Sequence, residues 1–144
     1  MAKVGVFSAC KSYKKTLENF GLLIDEFNRC IVEKEFGECS KSTTKIKTFI
    51  ILGETVEISI SPISAEFIIG KVEFNLIVDP LSKPIQKHEL MTLYVDSSGR
   101  CDLNLPESGR LLGSFGLDEP SDVEEYVTKV VLKSFLTHFG VETY

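Results

Sequence analysis

The chain contains 144 residues, of which 43% are hydrophobic and 26% are charged. Because typical domains contain roughly 100–200 residues, this length predicts a single domain covering residues 1–144. The composition is that of an average globular domain and excludes disordered, collagen-like and coiled-coil chains. The longest apolar run, residues 49–52, is far shorter than the roughly 18–20 residues that cross a bilayer. Early lysines also interrupt the N-terminal apolar residues, so we expect neither a membrane partner nor a secretory signal.

The formal net charge is −5, and the negative charge is concentrated towards the C-terminus. Residues 1–87 contain 12 basic and 11 acidic residues, whereas residues 88–144 contain 4 basic and 10 acidic residues. We do not expect nucleic acid as a partner, because binding to its phosphates depends on lysine and arginine. A basic protein partner fits this distribution. The alternative is that the negative charge only maintains solubility.

The four cysteines, Cys10, Cys30, Cys39 and Cys101, lack the short spacing of a structural zinc site. We therefore expect no metal, and no motif in the chain calls for another cofactor. Without a signal sequence, four reduced thiols that act as small apolar residues are expected, and they indicate a cytoplasmic protein.

Apolar residues recur with a 4-3 spacing over residues 6–35, which predicts one long amphipathic helix. Gly21 lies in the middle of this pattern and indicates a kink, a break or a close backbone contact. Gly37 is expected to end the helix in the left-handed conformation. The polar segment 38–44 is predicted to be a loop.

Beyond this loop the apolar period changes from about 3.6 to 2, which predicts strands. Gly53 and Glu54 have the glycine-first form of a type II′ hairpin turn, and Gly99 suits the turn of a later hairpin. A second helix is predicted over residues 121–139, with Pro120 in its first turn. The predicted strands cover residues 46–52, 55–61, 71–78, 89–95 and 100–105, with a weaker sixth strand over 110–115.

This order predicts an α+β fold, with a long N-terminal helix, a five- to six-stranded antiparallel meander and a C-terminal helix. Both helices are expected on one sheet face, which leaves the other face open and polar. The polar residues assigned to the open face are Lys47, Glu57, Ser59, Lys71, Glu73 and Asn75. Alternation also assigns Phe49, Ile51 and Ile77 to that face. Either the sheet curves enough to bury them, or they form an apolar interface with a partner or a second copy of the chain.

Residues that could support catalysis are few. His88 and His138 are the two histidines, and each is expected to have a structural position, at a strand end and in the last helical turn. The stretch between Gly109 and Gly116 lacks the Lys-Ser/Thr ending of a phosphate loop, and Ser114 directly follows a glycine, which excludes a Gly-x-Ser-x-Gly nucleophile elbow. Tight turns or a bulge explain these glycines better.

Acidic residues of the C-terminal half are the candidate contacts with a protein partner. Five of them surround the start of the second helix, where the helix dipole alone would explain their position. The dipole does not explain the other three, which lie on the preceding hairpin and turn. The complete set is Asp96, Asp102, Glu107, Asp118, Glu119, Asp122, Glu124 and Glu125.

At the level of architecture only, a small acidic α+β protein without a catalytic constellation resembles bacterial immunity proteins that neutralise a toxin. This resemblance implies a non-enzymatic protein-binding module, an inhibitor or immunity-type protein whose acidic C-terminal surface meets a basic partner. A dimeric secretion chaperone is one alternative, since its helix–strands–helix order and acidic pI are similar. A small-ligand-binding protein or an enzyme that uses His88 or the 109–116 region is the other.

Overall fold

The computed structural model describes residues 5–64, 67–79, 81 and 83–144. It confirms the α+β fold, with an N-terminal helix, an antiparallel sheet and a C-terminal helix. The helices are α1 (Val6–Glu33), α2 (Pro120–Val123) and α3 (Lys129–His138), and a π-helical segment, Glu124–Thr128, joins α2 to α3. The strands are β1 (Gly37–Ser42), β2 (Ile46–Ile51), β3 (Glu54–Ser64), β4 (Ile68–Asp79), β5 (Gln86–Val95), β6 (Arg100–Asp102) and β7 (Phe115–Gly116). None of the described helices is both long enough and apolar enough to span a membrane.

Helix α1 runs through Gly21 without a break. It ends in a Schellman motif, in which the amide of Phe36 donates to the carbonyl of Ile31 and the amide of Glu35 donates to that of Val32, both at 3.0 Å. Glu35 has φ = 61° and takes the left-handed position that was expected of Gly37. Gly37 instead begins β1, where a Cβ atom would lie 1.9 Å from the carbonyl oxygen of Ile50, so its role is close backbone approach.

The sheet is a meander, in which the seven described strands follow chain order and all neighbours are antiparallel. The segment predicted to be a loop forms β1, an edge strand paired with β2. An edge strand needs few buried side chains, so the polar sequence of β1 shows no alternation of apolar residues from which a strand could be predicted. At the opposite edge of the sheet, the strand predicted over residues 110–115 is much shorter and consists only of Phe115–Gly116.

The prediction that Phe49 and Ile51 lie on the open face is wrong. Both side chains are fully buried, and the ring of Phe49 meets that of Phe27 from α1 edge-on at 5.1 Å between centroids. The turn consists of Leu52 and Gly53, which both have positive φ as in a type I′ turn, and it pairs Phe49 with Val56. Phe49 therefore shares the face of the core residues of β3.

Ile77 does alternate away from the core residue Leu76, but it is buried there at 7% exposure. Register shifts lie on both sides of it, between Phe74 and Asn75 and between Ile77 and Asp79. Such bulges bend a strand and increase its twist. Of the two outcomes expected for Ile77, burial by a curved sheet and exposure at an apolar interface, the structure therefore agrees with burial. None of the three expected residues therefore forms an exposed apolar interface.

Most of the polar residues assigned to the open face are confirmed there by their cross-strand partners. Glu57 pairs with Asn75, Ser59 with Glu73, and Ser61 with Lys71. Lys47 is the exception, because it pairs with the core residue Ile58 and shares the face of Phe49. Both helices pack on the core face, where Phe27 of α1 and Phe135 of α3 belong to one cluster of buried side chains.

The position of Phe49 predicts a large loss of stability on its truncation. We expect Phe49→Ala to lower the free energy of unfolding by roughly 3–5 kcal/mol, because it removes a fully buried ring and leaves a cavity. Urea denaturation followed by circular dichroism measures this change. The control is Ile50→Ala on the opposite face, where the side chain is 38% exposed and we expect a clearly smaller loss. Equal losses for the two variants would contradict the face assignment.

Candidate functional site

Asp96 is a turn-forming residue and not a free surface carboxylate. Its Oδ1 atom accepts hydrogen bonds from the amides of Ser98 (2.9 Å) and Arg100 (3.0 Å), and its Oδ2 atom accepts from Nε of Arg100 at 2.8 Å. Asn19 of α1 donates to the backbone carbonyl of Asp96 at 3.0 Å. Together with Gly99 at φ = 82°, these bonds fix the β5–β6 hairpin against α1.

Asp102 is buried at 3% exposure and organises the loop that follows β6. Its carboxylate accepts hydrogen bonds from the amides of Leu112 (2.7 Å), Gly113 (3.1 Å) and Ser114 (3.0 Å), and from the hydroxyl of Ser114. Burial alone would raise the pKa of Asp102, but the Ser114 hydroxyl and the three amides lower it below its ordinary value. Asp102 was predicted as a contact with a protein partner, but its carboxylate is buried and bonded within the chain, so it is not exposed to one.

Two of the helix-start carboxylates are engaged in ion pairs. Oε1 of Glu124, in the π-helical segment, lies 3.2 Å from Nζ of Lys34 and accepts a weak hydrogen bond from the thiol of Cys30 at 3.7 Å. Oε2 of Glu125 lies 2.7 Å from Nζ of Lys129, four residues along the helix. Glu124 therefore joins α1 to the C-terminal helix, and Glu125 is largely neutralised by its own helix.

The remaining members of the predicted set have no ion pair or side-chain hydrogen bond with any described residue. Asp118 and Glu119 are exposed and Asp122 is partly exposed, and these three precede or form the start of α2. We call them the acidic surface. Glu107 is also exposed, but it lies separately in the loop between β6 and β7.

The structure brings the two histidines together, which the sequence did not predict. The ring centroids of His88 in β5 and His138 in α3 lie 4.3 Å apart, and the planes are inclined by 38°. Both residues are exposed, and among the described residues neither has a hydrogen bond with a carboxylate or a thiol. They therefore do not form part of a nucleophile–base–acid arrangement of the kind that hydrolases use.

The glycines between Gly109 and Gly116 serve the backbone, as expected. Gly109 and Gly113 have φ values of 73° and 78°, and Gly116 lies in β7. The amides of Leu112, Gly113 and Ser114 donate to Asp102 and so are occupied by a carboxylate of the same chain. Within the described parts of the chain, no group of three or more His, Cys, Asp or Glu side chains could hold a metal ion.

All four cysteines are free thiols. The pKa of Cys101 is raised to about 12, mainly by burial and to a smaller extent by the negative charges of Asp96 and Asp102. Burial and then Glu124 also raise the pKa of Cys30. Both of these thiols are therefore protonated at neutral pH and poorly nucleophilic.

These thiols predict an order of reactivity. With a thiol reagent such as DTNB, we expect Cys10, which is exposed on α1, to react first, and Cys30 and Cys101 to react only as the protein unfolds. Stopped-flow absorbance measures the phases. The variant Cys10→Ser should remove the fast phase, whereas an unchanged fast phase in that variant would contradict the assignment.

The contacts of Asp102 predict a loss of stability on its removal. We expect Asp102→Ala to lower the free energy of unfolding at pH 7 by roughly 2–3 kcal/mol, because three amides lose a charged and buried acceptor. The pKa of folded Asp102 lies below its ordinary value of about 3.8. Its stabilisation is therefore present above that value and is lost as the pH falls through the folded pKa.

Urea denaturation at several pH values tests this prediction, with Asp118→Ala as the matched control. Asp118 is exposed and has no partner among the described residues, so its removal should have little effect. The difference between wild type and Asp102→Ala should shrink as the pH falls below 4. A difference that persists unchanged at low pH would show that the carboxylate charge is not the cause.

Family models, curated proteins and solved structures were all compared with the chain, and none of them matches it. The contacts, burial and charges of the described residues therefore carry the functional conclusion on their own.

Proposed function

We propose that this chain is a non-enzymatic protein-binding module of the inhibitor or immunity type, which neutralises a basic protein partner. The partner would bind to the acidic surface formed by Asp118, Glu119 and Asp122. We further propose that the protein acts in the cytoplasm as a single domain, in keeping with its four free thiols.

One observation carries this proposal, namely the division of the eight candidate carboxylates into two classes. Four are used within the chain, as turn, loop or ion-pair partners: Asp96, Asp102, Glu124 and Glu125. Glu107 and the three residues of the acidic surface have no such partner among the described residues. Their negative charge is therefore available to another molecule.

The backbone that carries the acidic surface is anchored in the core directly after it, which favours specific binding over mere solubility. Val123 directly follows it and is buried at 1% exposure, and one turn later Val127 is fully buried in the same core. An anchored backbone keeps the three residues at a defined spacing, and their carboxylates steer a basic partner towards the surface. Free carboxylates on a mobile tail would lack the first of these advantages.

The chaperone alternative receives less support. A chaperone of this class is a dimer, and the three residues that could have formed an apolar interface with a second copy, Phe49, Ile51 and Ile77, are buried within the chain. The other alternative, a small-ligand-binding protein or an enzyme, would use His88 or the 109–116 region. The ring of His88 contacts that of His138 and has no hydrogen bond with a carboxylate or thiol among the described residues, and three amides of the 109–116 region already donate to Asp102. The protein-binding proposal requires neither feature.

Charge reversal tests the proposal. We expect the triple variant Asp118→Lys, Glu119→Lys and Asp122→Lys to weaken binding of a basic partner, recovered by affinity capture, by at least about tenfold. Isothermal titration calorimetry at low and high salt measures the affinity, which should fall as the salt concentration rises.

The matched control carries the same change in charge on exposed carboxylates elsewhere: Asp25→Lys, Glu38→Lys and Glu142→Lys. This variant should keep most of the affinity, which would show that position and not net charge decides binding. Equal losses of affinity in the two variants would mean that net charge, and not the position of the carboxylates, determines binding. Recovery of no basic partner, or an unchanged affinity in the first variant, would overturn the proposal.

A further inference from the structure

A cleft at one end of the sheet brings two arginines together, and no part of the proposed function uses it. It lies between α1, the start of β4, the β5–β6 turn and the loop that follows β6, and its volume is about 280 Å³. Arg100 and Arg110 both line it. This volume is just below the range for small-molecule sites, roughly 300–1,000 Å³, so the cleft suits only a small ligand.

The side chain of Arg100 is held at its aliphatic stem and at its Nε atom. Its Nε atom donates to Oδ2 of Asp96 at 2.8 Å, and its stem packs so closely on Gly113 that a Cβ atom there would lie 3.1 Å from Cγ of Arg100. Gly113 is in turn held by Asp102. The two terminal amino groups of the guanidinium have no hydrogen bond with a described residue, so they remain available to a ligand.

Arg110 supplies the second positive charge. It is exposed, and its side chain has no ion pair or hydrogen bond with the described residues. The backbone around it is ordered by two hydrogen bonds, from the amide of Gly109 to the carbonyl of Pro106 (2.9 Å) and from its own amide to the hydroxyl of Ser108 (3.3 Å). Because Asp96 balances Arg100, Arg110 leaves the cleft with a net positive charge.

Hydroxyl groups add further hydrogen-bond donors. Ser12 of α1 and Ser97 and Ser98 of the β5–β6 turn also line the cleft. Their hydroxyls have no hydrogen bond with a described residue. Two guanidinium groups and three hydroxyls together match the acceptor-rich oxygens of a phosphate.

Apolar residues form the rest of the lining. Ile69 and Leu111 are buried at 3% exposure each, whereas Phe67 and Ile68 are exposed beside them at 46% and 38%. A ligand that consisted only of an inorganic anion would leave this apolar lining unused. The lining therefore fits a small apolar group attached to the anion.

We propose that this cleft binds a small phosphate monoester that carries an apolar group. The phosphate contacts Arg110, the terminal amino groups of Arg100 and the serine hydroxyls, and the apolar group packs on Phe67 and Ile68. This site is separate from the acidic surface in its residues and in the charge of its ligand, so it does not depend on the proposed protein partner.

Titration of the ¹⁵N-labelled protein with phenyl phosphate, inorganic phosphate and benzoate tests the proposal by NMR. We expect phenyl phosphate to shift the amides of Ser97, Ser98 and Leu111 in a saturable way, and to bind more tightly than either other probe. The variant Arg110→Gln should weaken phenyl phosphate binding by about tenfold. Phe67→Ala should weaken binding of phenyl phosphate but not of inorganic phosphate.

Arg29→Gln is the control, because it removes the same charge from an exposed, ion-paired arginine of α1. It should leave the affinity for phenyl phosphate unchanged. Absence of saturable shifts, or an equal effect of Arg29→Gln and Arg110→Gln, would overturn the proposed site. Tighter binding of benzoate than of phenyl phosphate would overturn the assignment to phosphate.

Discussion

The buried carboxylate of Asp102 is the interaction on which the C-terminal half of the structure depends. It lies at the end of β6 and accepts hydrogen bonds from the amides of Leu112, Gly113 and Ser114. The chain between β6 and β7 has no regular secondary structure, so these hydrogen bonds replace a strand ladder there. Without them, the buried carboxylate of Asp102 would lack its partners, which costs more free energy than the loss of an exposed hydrogen bond.

The two proposed surfaces lie on either side of this loop along the chain. On one side of the loop, Gly113 supports the stem of Arg100, and Arg110 lies three residues earlier in the cleft. On the other side, the chain enters β7 and then the acidic surface before α2. A carboxylate inside the fold thus holds Gly113, on which the stem of Arg100 packs. The function of a charged residue in this protein depends on its burial and partners, and not on its sign alone.

Much of the fold could be predicted from the sequence, because the apolar period changes where the structure changes. The period over residues 6–35 indicated α1, and the alternation after residue 55 indicated β3 and β4. Edge strand β1 could not be predicted in this way, since an edge strand with polar side chains leaves no hydrophobic pattern. The end of α1 was also misplaced, because the left-handed residue is Glu35 and not a glycine.

The face of β2 shows where a single strand is ambiguous. Residues of both parities are apolar in it, Phe49 and Ile51 on one side and Ile46 and Ile50 on the other. Cross-strand pairing resolves the choice, because any two-residue turn near Gly53 places Phe49 opposite a core residue of β3.

The candidate site was predicted less well than the fold. The sequence identified the acidic residues, but their partners come from distant segments, as with Asp102 and the amides of residues 112–114 or Glu124 and Lys34. Burial and pairing, which no local pattern reveals, separate the anchoring carboxylates from those available to a partner. The contact of His88 with His138 and the cleft around Arg100 arise in the same way, from packing of α1 and α3 against the meander.

Hydrogen exchange at the amide of Leu112 tests most directly whether Asp102 organises this part of the chain. The side chain of Leu112 is 78% exposed and lies outside any strand, so nothing but the bond to Asp102 should protect its amide. We predict slow exchange at Leu112, Gly113 and Ser114 in the wild type and rapid exchange in Asp102→Ala under conditions where that variant remains folded. Rapid exchange of these three amides in the wild type would contradict the account.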